Sequence, residues 1–316
     1  MARYALRRLL FLIPTLVGMS ILIFAMVRLL PGDVVDAMFT GDSGATASAK
    51  QAVRKALGLA DPLPVQYLKF VGGVVTGSLG QSLTSGEPVA TIMTRAIPIT
   101  VELAVLAAVT ATVVGIPLGV VSAVRPNTSL DFAARVGGLI GLSVPNFWFA
   151  TLALLATSLF LHWIPPVTWI PPWQDVFGNL QQMAIPALAI SVYLMATVMR
   201  MTRASMLEVL RQDYIRTARA KGAPSRSVMF RHALRNSLIP VITVIGFQVG
   251  TLIGGATIVE VIFGLPGMGY TLVQGIFSRD YTVIQFAALF LASVFVVVNL
   301  LVDLLYGVLD PRIEQA

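Results

Sequence analysis

The side chains best placed for specific chemistry lie in one short run, DYIRTARAKG at 213–222. Asp213 suits the positive end of a short helix, Lys221 suits its negative end, and Gly222 can adopt the left-handed conformation that stops it. Between them, Tyr214, Arg216 and Arg219 offer charge and hydrogen bonds, while Thr217, Ala218 and Ala220 are small. Small residues on an exposed helix bury little area against lipid, but they let another protein's surface approach the backbone. The chemistry implied is docking rather than bond making. The wider interval 201–236 carries eight Lys/Arg against two acids, Glu208 and Asp213. Attraction to lipid phosphates explains that charge as well, when charge alone is considered.

Catalytic chemistry has few candidates. There is no cysteine, and His162 and His232 are the two histidines, which removes thiol catalysis, disulfides and any Cys/His metal cluster. No metal site is expected. The sequence holds no G-x-x-x-x-G-K-[ST] phosphate loop, no G-x-S-x-G elbow, no H-E-x-x-H pair and no paired carboxylates inside an apolar stretch. Polar groups within the apolar stretches are few, among them Glu102, Asn146, Gln248, Glu260, Asn299 and Asp303. A charge in hydrocarbon costs roughly 2.5–3.5 kcal/mol, so such groups turn toward protein or water. Asn146 and Gln248 are the expected residues of a solute pathway. Glu260 and Asp303 lie near span ends and are expected at the interface, and Asn299 and Asp303 share a helical face.

The elements that would position these residues are transmembrane helices. With 56% of 316 residues hydrophobic and 12% charged, the chain lacks the polar surface a soluble fold would need, and it reads as an all-α membrane protein. Stretches at 9–29, 99–121, 136–161, 184–200, 238–262 and 283–305 are each apolar and long enough to be read as spans, the third interrupted by Pro145-Asn146 and the fourth the shortest. The first is too long for the apolar core of a cleaved signal, about 7–15 residues, and reads as a retained span. The organisation expected is 1–30 as N-terminal segment and first span, 31–98 as an extracytoplasmic helical segment, 99–310 as a five-span core, and 311–316 as a cytoplasmic tail. Helices are predicted within 31–98 at 48–57 and 65–75.

Lys and Arg cluster on one side: before the first span, at Arg125 and Arg135, through 201–236, and at Arg312. That side is expected to be cytoplasmic, with both termini on it. The net charge of +7 is thus spent flanking a membrane, and no nucleic-acid partner is expected. HWIPPVTWIPPWQD at 162–175 places three Trp among prolines, suiting an interfacial aromatic belt on the outer side. Gly246, Gly250 and Gly254 repeat every four residues and open one face of the fifth span, either to a helix of the same chain or to a partner.

The order of residues adds a resemblance. DYIRTARAKG followed by RHALRNSLIP at 231–240 resembles the EAA loop of bacterial ABC importer permeases, in the form of the dipeptide/oligopeptide/nickel branch. LPGD at 30–33, LGLADPLPVQY at 57–67, GSLGQS at 77–82, SVPNFW at 143–148, EVIFGLPGMGYTLVQGIFSRDYTVIQ at 260–285 and VDLLYGVLDPRI at 302–313 resemble the same branch, in its order. Arg216 departs from the Glu of the general motif and Thr217 from its first Ala, whereas Ala218 and Gly222 match.

The resemblance implies an inner-membrane permease subunit that forms half of a pathway for peptides or related small solutes. It implies a second homologous permease, two ATPase subunits docked through 213–222, an extracytoplasmic substrate-binding protein and surrounding membrane lipid. It also implies no cofactor on this chain, with ATP and Mg held by the ATPases. A secondary transporter or channel would instead show internal repeats and a deep ionisable relay, and neither is found.

Overall fold

The computed structural model describes residues 2–29, 35, 46–56 and 58–309. The motif at 30–33 and the tail at 311–316 lie outside them. Helices α1 (Ala2–Leu29), α2 (Ala47–Ala56) and α3 (Leu63–Thr76) come first. They are followed by α4 (Val89–Val124), α5 (Ser129–Ser143), α6 (Asn146–Leu161), α7 (Val176–Val209) and the short α8 (Asp213–Ala220). A lead-in at 225–234, π-helical over Val228–Leu234, runs directly into α9 (Arg235–Phe263). Helices α10 (Met268–Ser278) and α11 (Tyr281–Leu309) complete the described chain. Among the described residues the β pairing is one isolated antiparallel bridge, Gln81 with Pro88.

Five helices are long and apolar enough to cross a membrane: α1, α4, α7, α9 with its lead-in, and α11. The predicted span at 136–161 differs. It is two helices, α5 and α6, bent by 107°. The cause is local: a residue preceding proline is pushed out of the helical region, and Val144 is extended at φ −88°, ψ 123° before Pro145. With the bent pair taken as one broken span, the number of spans is the six expected. The predicted spans at 99–121 and 184–200 are cores of much longer helices, 36 residues in α4 and 34 in α7. At 1.5 Å per residue these reach about 50 Å, well beyond a hydrocarbon core of about 30 Å. They are thus longer than a crossing needs, and Asp175 caps α7 by accepting from the Phe177 and Gly178 amides at 3.0 Å.

The core forms where α4 lies on α7. Leu103, Ala107 and Ala111 of α4 meet Met183, Ile190, Leu194 and Val198 of α7, with Val259 and Phe263 of α9 closing the cluster. The two backbones nearly touch. A Cβ on Gly115 would lie 2.9 Å from the Met195 carbonyl oxygen, and one on Gly119 would lie 2.6 Å from that of Met199. Only glycine fits there. Helix α1 stands to one side, packed on α11 and touching α3, with Leu22 and Met26 exposed as lipid-facing residues are. The glycine stripe of α9 splits in two. Gly246 faces Val302 and Gly250 faces Phe295 and Asn299 of α11, which is packing within the subunit, while a Cβ on Gly254 would meet no other element within 4 Å among the described residues.

Candidate functional site

Helix α8 has eight residues, too few to persist by itself. Its support is Ile215, fully buried in a cluster with Val120 and Ala123 of α4, Met206 of α7, and Val228 and Ala233 of the π-helical lead-in. Ala218, one turn further on, packs against the same cluster. The other predicted residues turn outward: Asp213, Tyr214, Arg216, Thr217, Arg219, Ala220, Lys221 and Gly222 are all exposed. Asp213 lies 3.5 Å from Arg216, an exposed pair, and Thr217 returns its hydroxyl to the Asp213 carbonyl at 3.0 Å. The Asn236 amide donates to the Tyr214 hydroxyl at 2.9 Å, tying α8 to the first turn of α9.

The predicted stop is present at Gly222, with φ +77°. The Gly222 amide donates to the Arg219 carbonyl at 2.9 Å and the Ala223 amide to the Ala218 carbonyl at 3.1 Å, the paired bonds of a Schellman motif. Among the described residues, the chain neighbours apart, no atom lies within 4 Å of where a Gly222 Cβ would sit, so this corner is open to a partner. Sequence reasoning passed over Ile215. Its signal was there, as the one aliphatic residue larger than alanine in a polar amphipathic run.

A buried ionic knot supports the same end of the bundle. The Asp131 carboxyl, with no exposed surface, accepts from the Ser122 hydroxyl at 2.5 Å, from Arg203 Nε at 2.8 Å and Nη2 at 3.2 Å, and from the Asn127 amide at 3.0 Å. Arg135 approaches it at 3.6 Å. The knot ties α4, α5 and α7 just before the chain enters α8. Asp131 was also missed, although Thr128 three residues earlier makes an N-terminal cap whose hydroxyl accepts from the Asp131 amide.

Asn146 and Gln248, the pathway candidates, are brought to one face of α9. Gln248 and Gly255 are seven residues apart and so share that face, about 10 Å along the helix. The Asn146 amide nitrogen lies 3.5 Å from the position a Gly255 Cβ would take. Thr251, between them and exposed, donates to the Gln248 carbonyl at 2.7 Å and to its side-chain oxygen at 3.2 Å. The outcome is a polar line on an otherwise apolar helix.

The opposite end of the bundle is stitched by acids. Glu260, expected near a span end, is fully buried within the protein. It accepts from the Thr100 hydroxyl at 2.6 Å and the Tyr270 amide at 3.0 Å, while Thr100 accepts from the Met268 amide at 2.8 Å. It therefore caps α10 from another helix and fastens it to α4. Asp280 accepts from the Ser82 hydroxyl at 2.5 Å, the Thr84 hydroxyl at 3.1 Å and the Val283 amide at 3.1 Å, joining 81–88 to the start of α11. The tryptophan-rich loop is more than a belt. Trp169 donates to Glu102 at 2.9 Å, and Gln182 bonds the backbone of Pro166, Thr168 and Ile170. Trp173 alone of the three is strongly exposed. The side chain of Asp303 lies outside those described.

Relatives of known function match the chain along its length. The model of the "binding-protein-dependent transport system inner membrane component" family matches residues 115–315, and that of the N-terminal part of such membrane components matches residues 1–104. The oligopeptide transport system permease protein AppB of Bacillus subtilis is 40% identical over 317 residues, covering 99% of this chain and 100% of its own. The dipeptide transport system permease protein DppB of Escherichia coli K12 is 40% identical over 340 residues, covering 100% and 99%. DppB of Alkalihalophilus pseudofirmus is 38% identical over 334 residues, covering 99% and 100%. The chain thus belongs to the binding-protein-dependent transport system inner membrane components, as a multi-pass permease subunit of an ABC importer.

Proposed function

We propose that this permease carries peptides, that it pairs with a second homologous permease, and that Asp213–Gly222 docks in a cleft of one of two ATPase subunits. ATP and Mg are bound by those subunits, and a separate binding protein delivers solute at the far end. Both termini and the segment 201–236 face the cytoplasm, following the Lys/Arg distribution. The observation that carries the docking role is the two-sided character of α8: Ile215 is locked into three helices of the permease while the residues around it stay exposed. A helix held in this way transmits a push on its outer face to α4, α7 and the lead-in of α9, and rocking of those spans switches the pathway between its two openings. Peptide as the solute is supported by the relatives, an oligopeptide and a dipeptide transport system permease.

The test uses the cysteine-free chain. With Thr217→Cys, the complex co-expressed with its ATPases and second permease should cross-link to an ATPase subunit, and the yield should change on ATP binding. Impermeant thiol reagents applied from outside should label Ser78→Cys and spare Ser225→Cys. Uptake of a dipeptide without any cross-link at 217, or outside labelling at 225 with protection at 78, would remove the docking role and the orientation respectively.

A further inference from the structure

Residues of α5 and α7, with Val244 of α9, line an open cavity of about 780 Å³ at the end of the bundle that carries α8. Arg135, Arg200 and Arg203 line it together with Tyr193, Thr197 and Val244. Asp131 engages Arg203 at 2.8 Å and Arg135 at 3.6 Å, whereas Arg200 is exposed and makes no ion pair among the described residues. Three cations against one buried acid leave the cavity positive. A concave site lined by one sign of charge concentrates the opposite charge. Tyr193, Thr197 and Arg200 follow one another on one face of α7 at helical spacing, so hydroxyls lead toward the guanidinium. Thr197 donates its proton to the Tyr193 carbonyl at 2.9 Å, which leaves its oxygen as an acceptor for an N–H.

The position of the cavity links it to the polar line on α9. Val244 lies four residues before Gln248, so Val244, Gln248, Thr251 and Gly255 share one face over about 16 Å, from Asn146 down to the arginines.

We propose that this cavity receives the carboxylate of the transported solute as it leaves the pathway, with Arg200 as its charge partner and Thr197 as an acceptor for the adjoining N–H. The inference rests on the transport reading above and adds that the permease itself favours solutes ending in a carboxylate. Arg203, held by Asp131, fixes the wall, and Arg200 supplies the free charge.

The complete importer, with its second permease, ATPases and loaded binding protein, is reconstituted in vesicles of phosphatidylethanolamine and phosphatidylglycerol. Initial uptake is measured for dialanine and for its C-terminal amide, each saturating the binding protein. The ratio of variant to wild type for each solute cancels selection by the binding protein. Arg200→Gln should lower dialanine uptake about tenfold and amide uptake by less than about twofold, the loss of one charge-assisted hydrogen bond. Arg200→Lys should restore most of it. An equal fall for both solutes, or for neither, overturns the carboxylate site. An anionic lipid in the cavity gives a different result: wild type loses uptake of both solutes when phosphatidylglycerol is omitted, as the variant does with it present. Failure of wild type to take up either solute would instead remove the peptide-transport reading itself.

Discussion

Replacing Ile215 by alanine removes the one fully buried side chain of α8. A large-to-small change at a site with no exposed surface costs about 2–5 kcal/mol, the range reflecting how far the site collapses. Little else resists the loss. The Tyr214–Asn236 bond is exposed, and the hydrogen bonds at Gly222 lie within the loop itself. The destabilisation therefore falls on α8 rather than on the spans. In the assembled complex, backbone amides of 216–221 should exchange with solvent about thirtyfold faster or more, since each 1.4 kcal/mol is a factor of ten. Exchange in α4 and α7 should be unchanged. Hydrolysis stimulated by the loaded binding protein should fall, while basal hydrolysis by the ATPase subunits persists. Ile215→Val, costing about 0.5–1.5 kcal/mol, should lie between. Unchanged exchange at 216–221 would refute the anchor, and faster exchange with full stimulation would refute its role in coupling.

A Cβ at Gly222 would meet no atom of the described residues within 4 Å, its chain neighbours apart, so the main internal cost of Gly222→Val is the backbone penalty of about 1–2 kcal/mol. Membrane abundance should stay near normal while co-purification of ATPase and stimulated hydrolysis drop; Arg226→Ala, basic but outside the motif, should be nearly silent, and the reverse order would favour a lipid-binding patch. Glu260→Ala leaves the Thr100 hydroxyl and Tyr270 amide without their acceptor, at about 1–3 kcal/mol each, and should lower the melting temperature of the purified complex more than Glu260→Gln does. Asp131→Ala strands Arg203 and should cost about 3–5 kcal/mol in thermal or denaturant unfolding. Combining it with Arg203→Met should cost less than the sum of the two single changes, and strict additivity would show that the knot is not one unit.

Much of this molecule is written in apolar runs long enough to span, which is why the spans, the break at Pro145 and the stop at Gly222 could be read before any coordinates. Each rests on a strong local rule: hydrocarbon thickness, the restriction before proline, the left-handed freedom of glycine. Asp131 and Glu260 were not legible in the same way. Their roles come from residues far along the chain, Arg203 for one and Thr100 for the other, and a single sequence carries no record of such pairings. Ile215 failed for a different reason. A short polar helix draws attention to its charges, yet its fixation depends on the one residue that does not resemble them. Lengths of α4 and α7 were underread because hydropathy marks the part of a helix inside lipid and is blind to turns continuing into water.

The close approach at Gly115 and Gly119 limits how this protein can move. Helices α4 and α7 meet there backbone to backbone; at one end Glu102 of α4 holds Trp169 of the loop that Gln182 of α7 also holds, and at the other the Asp131–Ser122–Arg203 knot ties them. Two rods fastened at both ends and flush in the middle behave as a single plank. Sliding one along the other would carry a side chain into the gap at Gly119, where even a methyl group would sit 2.6 Å from a carbonyl oxygen. Shear is closed to the pair, and tilting as one piece is the motion left to it.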